Sequence, residues 1–110
     1  MDVLRESLPE LRYIYRHLKG KKRALYFKTL SNRMTKILHQ IAINLLYSHK
    51  NGVALNKLQI KKLKPHQKTL EKLTFSKNNR EKKKILRKKP FVQVMLQVIL
   101  QLVVKLKIDQ

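Results

Sequence analysis

Apolar residues recur along this chain at three- and four-residue spacings, and polar breaks cut the recurrence into short blocks. Leu8, Leu11, Tyr15 and Leu18 share one helical face. Just ahead, Ser7-Leu8-Pro9-Glu10 reads as a capping box, with Ser7 as N-cap, Pro9 in the first turn and Glu10 reaching back. Gly20 supplies the stop. A second short segment opens at Lys21-Lys22-Arg23 and has Leu25, Tyr26 and Leu30 as its apolar positions. Ser31 or Asn32 can cap the third, whose broad stripe of Met34, Ile37, Leu38, Ile41, Ala42, Leu45 and Leu46 is the clearest helix in the chain. Asn51-Gly52 is its expected terminator. Three such helices make a minimal bundle with a small core.

Beyond Gly52 the pattern shortens. Asn56 can cap a helix through Leu63, with Gln59 as the third residue in, and Pro65 interrupts it. A further segment carries Leu70, Leu73 and Phe75, and Ser76-Lys77-Asn78-Asn79 is a polar break. Pro90 then separates a dense cationic run from Phe91 to Leu106, where the polar members are Gln93, Gln97, Gln101 and Lys105. Their four-residue spacing draws a narrow polar seam along a helix. A strand is the rival, because the even positions from Val92 to Leu106 are all aliphatic, yet strands usually run to about 3–10 residues. Helix is the preferred reading. At sixteen residues the block falls short of the roughly 20 that span a bilayer.

The expected fold is therefore all-α: a small bundle of short amphipathic helices, a basic linker and an apolar C-terminal helix. By segment, the division is residues 1–52 for the bundle, 53–90 for the lysine-rich part and 91–110 for the apolar helix. The tail has three readings: the last core helix, a self-association helix, or a segment lying in a membrane surface. For the last two, the residues concerned are Phe91, Val94, Met95, Val98 and Leu102.

Charge changes the picture most. The 110 residues include 27 Lys plus Arg against 6 Asp plus Glu, a formal charge of +21. Between Leu11 and Leu70 there are fifteen Lys or Arg and no acid. Like charges oppose compaction, so such a chain calls for a polyanion. Duplex DNA carries one charge per about 1.7 Å of axis, and 21 charges would match about 36 Å of it.

The same inventory argues against catalysis. The few acids sit at caps or beside basic neighbours, with Glu71 facing Lys68, rather than as a converging pair. His17, His39, His49 and His66 lack metal-ligand spacing, and there is no cysteine. Two isolated glycines make no phosphate loop. The amino-terminal stretch is mixed in charge without an apolar centre, unlike a secretory signal. Neither an enzyme nor a cofactor is indicated.

The candidate nucleic-acid contacts are Lys21, Lys22, Arg23, Lys57, Lys61, Lys62, Lys64, Lys68, Arg80, Lys82, Lys83, Lys84, Arg87, Lys88 and Lys89. Lysine predominates, which suits phosphate contact better than bidentate reading of guanine. Residues 82–89 also pass as a nuclear-import signal. Tyr13, Tyr15, Tyr26, Phe27 and Tyr47 fall mostly at core spacing rather than as a stacking platform.

Ile43-Asn44-Leu45-Leu46, the Gly52-to-Leu55 turn and Gln59-Ile60-Lys61-Lys62-Leu63-Lys64-Pro65-His66 follow a familiar order. With Leu70-Glu71-Lys72-Leu73, Lys82-Lys83-Lys84-Ile85-Leu86 and the apolar end, the chain resembles the small basic core proteins of adintoviruses and Maverick or Polinton elements, likened to adenoviral protein X. The resemblance covers roughly Leu25 to Leu106. One departure is the Lys89-Pro90-Phe91 step, where that family usually has Gly-Gly-Phe, a step that adenovirus-type proteases favour. The resemblance implies a viral or transposable-element virion component that packages or condenses double-stranded DNA and carries a membrane-active tail. The expected location is the virion or the nucleus, and the expected partners are double-stranded DNA, with RNA as the alternative, and a second copy of the chain or a membrane through 91–106. The alternatives are an rRNA-binding structural protein of a ribosomal particle and a membrane-active basic protein acting through its tail.

Overall fold

The computed structural model describes residues 2–47 and 55–108. In order they form α1 (Asp2–His17), α2 (Lys21–Lys28), α3 (Asn32–Leu46), α4 (Lys57–Leu63), a 3-10 turn (Lys64–His66), α5 (Gln67–Thr74), α6 (Asn79–Leu86) and α7 (Lys89–Ile108). No strand occurs among the described residues, and the block 91–106 is helix.

Local capping sets several of these boundaries. The Ser31 side chain accepts from the Met34 amide at 3.1 Å and starts α3. Asn56 and Gln59 make a reciprocal capping box: Asn56 Oδ1 accepts from the Gln59 amide at 2.8 Å, and Gln59 Oε1 from the Asn56 amide at 3.0 Å. Pro65 sits in the 3-10 turn that joins α4 to α5. Asn78 caps α6 by accepting from the Glu81 amide at 2.9 Å. Gly20, between α1 and α2, has φ of 59°, a backbone conformation that disfavours any side chain. The expected terminator Asn51-Gly52 lies outside the described residues.

Three sequence expectations fail here. Ser7 is not an N-cap: α1 runs through it from Asp2, with Pro9 inside the helix. Burial of Ser7 at 1 % and Leu8 at 5 % exposure shows tertiary packing extending the helix past the local start signal. Freed from capping, Glu10 accepts from the Tyr26 hydroxyl at 3.1 Å and the Arg33 guanidinium at 3.0 Å, tying α1 to α2 and α3. In α2 the interior positions are Arg23 and Phe27, one turn apart, with Leu30 just beyond. Leu25, two residues from each and so about 200° round the helix, is 63 % exposed. Phe75, expected with Leu70 and Leu73, is likewise exposed at the end of α5.

One core unites the chain. Leu8, Leu11 and Ile14 of α1 pack in the same cluster as Met34, Leu38 and Ile41 of α3, Leu70 and Leu73 of α5, Leu86 of α6, and Phe91, Met95 and Ile99 of α7. All three of the expected segments contribute to it. α7 is apolar over most of its circumference, and such a helix belongs inside. It packs against α1, α3, α4 and α6, and its described interior positions include Val92, Leu96, Val98 and Leu102. The radius of gyration is 13.2 Å, against about 13 Å for a compact domain of 100 residues.

Candidate nucleic-acid interface

The candidate cations divide according to the elements that carry them. Lys21 and Lys22 open α2 and are exposed. Lys57, Lys61, Lys64 and Lys68 are exposed along the continuous run of α4, the 3-10 turn and α5, and Lys62 is half-buried. Arg80 and Lys84 are exposed on α6, where Lys82 and Lys83 are half-buried. Arg87 and Lys88 follow exposed, and Lys89 opens α7. A hydrogen bond from Arg87 to the Lys28 carbonyl at 3.5 Å brings the ends of α2 and α6 together. The basic residues of 21–28 and of 80–88, remote in sequence, thus lie on adjoining elements.

Arg23 departs from its expected role. It is half-buried; its guanidinium donates to Gln93 Oε1 of α7 and, at 3.4 Å each, to the carbonyls of Ile14 and Tyr15 in the last turns of α1. A cation on carbonyls at a helix C-terminus is favoured by both hydrogen bonding and the helix dipole. Arg23 is a tie among α1, α2 and α7.

The polar seam of α7 takes its meaning from the same contacts. Gln93 accepts from Arg23, and Gln101 accepts from Gln59 Nε2 of α4 at 3.2 Å. Gln93 and Gln101 therefore face neighbouring helices, and the apolar positions beside them are covered. Phe91, Met95, Val98 and Leu102 are 6 % exposed or less, and Val94 is partly buried against the core. The self-association or membrane surface expected from these five residues is not available in this fold, because the chain's own helices occupy it. No helix among the described residues is long and apolar enough to cross a membrane.

Acids do little to offset the cations. Among the described residues the one ion pair is Arg33–Glu10, with its side chains 62 % and 39 % exposed. Glu71 forms no ion pair with Lys68. The first turns of α2, α3, α4, α5 and α7 contain no acidic residue. Lysines 21, 22 and 57 therefore stand at the positive ends of helix dipoles, an arrangement that is unfavourable in itself.

Aromatic residues are spread rather than aligned. Phe27 is buried, and Tyr15, Tyr26 and Tyr47 are half-buried. Tyr13 is exposed, its ring 5.4 Å from that of His17. Burial, reinforced by the Glu10 carboxylate, pushes the Tyr26 hydroxyl well above the usual tyrosine range, keeping it a donor at neutral pH. His39 bonds the Thr74 carbonyl at 3.0 Å, so it links α3 to α5. Sequence reasoning missed Arg23, Gln59, Gln93 and His39 as cross-braces. Their partners lie 35 to 70 residues away, except for the carbonyls of Ile14 and Tyr15, and spacing carries no sign of them.

Comparison with protein-family models, with curated proteins and with solved structures finds no match.

Proposed function

We propose that this protein binds double-stranded nucleic acid without regard to sequence and condenses DNA in the manner of a small basic core protein. The observation that carries the reading is a folded, helical surface whose exposed cations meet one ion pair among the described residues. Its lysines stand on α2, on the α4–α5 run and on α6, so phosphate contacts come from several elements of one rigid body. Each contact releases condensed counterions and supplies affinity that does not depend on base identity. A body carrying cations on several elements can also bridge neighbouring duplexes, which turns neutralisation into compaction. The order of features shared with the protein X-like core proteins supports the packaging form of this reading, with the virion or nucleus as its setting. The role is one of binding; no step of chemistry is assigned to it.

The test is competition at matched salt between unrelated duplexes and a structured RNA, followed by light scattering of the DNA complexes. The reading expects equal affinity for the duplexes and compact particles near charge balance. A marked preference for the structured RNA would assign the protein to a ribosomal particle instead.

A further inference from the structure

Between α2, α6 and the start of α7 lies a hollow of about 170 Å³ whose apolar wall the DNA-binding reading does not use. Its apolar wall is made by Phe27, Leu86 and Val92, all 2 % exposed or less, with Ala24 exposed. Three cations also line it, Arg23, Lys28 and Arg87, and no acid does. Arg23 spends its two terminal nitrogens on Gln93 and on the α1 carbonyls. Its Nε–H is buried and finds no partner among the described residues. Arg87 commits one N–H to the Lys28 carbonyl, out of the five a guanidinium offers.

We infer that this hollow is a binding site for a small organic anion with an apolar body, specifically a carboxylate on a benzene-sized group. The size argues for it: an apolar cavity of about 150 Å³ takes a benzene-sized guest, whereas drug-sized ligands need about 300–1,000 Å³. Chemistry argues the same way. The wall takes the ring, and the exposed Lys28 and Arg87, whose guanidinium has N–H groups to spare, meet the carboxylate beside the half-buried charge of Arg23. Inorganic phosphate would leave the wall empty, and a neutral aromatic would leave the cations unanswered. The hollow shares Arg87 with the candidate phosphate contacts, but Ala24 and Lys28 are not among them, so variants at these two positions separate the two sites.

Titrating the full chain with benzoate, followed residue by residue by NMR, tests the inference. Saturable shifts are expected at Ala24, Phe27, Leu86 and Val92, with benzyl alcohol and inorganic phosphate each binding at least about tenfold more weakly. Ala24→Leu fills the mouth and should weaken benzoate at least about tenfold while leaving DNA affinity unchanged. Lys28→Gln, at an exposed position that folding does not need, should weaken it about two- to five-fold. Benzyl alcohol binding as well as benzoate, shifts confined to lysines 57–68, or both variants binding like the parent would overturn the site. None of those results would bear on DNA binding, and loss of DNA binding alone would not bear on the hollow.

Discussion

Arg23 and Lys22 are neighbours in a basic triplet, yet the structure gives them opposite work. Lys22 is exposed at the start of α2, whereas Arg23 joins three helices through Gln93, Ile14 and Tyr15. Hydrogen bonds to a charged group contribute about 1.5–3 kcal/mol, so Arg23→Met should lower unfolding free energy by about 2–3 kcal/mol in urea titration. Lys22→Ala should change it by less than about 0.5 kcal/mol while reducing the salt slope of DNA binding by about one. The reverse pattern would mean that Arg23 faces solvent. Tyr26 offers a second residue-scale test. Its folded pKa is raised above the ordinary value of 10.0, chiefly by burial. Above pH 10 the unfolded chain therefore releases this proton while the folded chain holds it, and stability falls as pH rises. Tyr26→Phe should abolish that part of the alkaline loss, so that the stability difference between parent and variant narrows above pH 10. A difference that stays constant would contradict the burial of the hydroxyl. None of this was legible in the sequence: a basic triplet looks the same whether its third member points out or in.

At the scale of elements, legibility followed the range of the interaction. Ser31, Asn56 and Gln59 act within three residues of themselves, and their caps stand where the spacing places them. The α3 stripe and the helical form of 91–106 follow from periodicity carried over four turns or more. Ser7 and Pro9 mislead because the local start signal competes with burial of Ser7 and Leu8 against the rest of the fold. With Pro9 inside α1, its ring removes one backbone hydrogen bond and crowds the carbonyl four residues earlier. Pro9→Ala should therefore raise stability, by about 2 kcal/mol after allowing for a looser unfolded chain. No gain in thermal or urea unfolding would place the start of α1 at Ser7 after all. The seam of α7 was visible as a period of four, but its partners Arg23 and Gln59 were not. Seventy and forty-two residues separate those pairs, and only packing brings them together.

The whole molecule sets 27 basic side chains against 6 acidic ones on a body of 35 × 27 × 23 Å. A core shared by all the major helices holds that charge together, and Phe91, Met95, Val98 and Leu102 lie inside it instead of on the surface. The total charge was plain from composition. What composition hides is that the apolar positions from Phe91 to Leu102 are consumed by folding, which leaves the cations prominent on the surface of the described residues. Self-repulsion that the fold tolerates would be relieved by a polyanion, and on the proposed reading phosphate spaced along a duplex supplies it. The direct test is the affinity for two duplexes of unrelated sequence measured between 50 and 200 mM salt. For about 6–10 phosphate contacts the account predicts a loss of about 10³–10⁵ in affinity across that range, the same for both duplexes. Affinity that barely responds to salt, or that holds for one sequence and vanishes for the other, would contradict it.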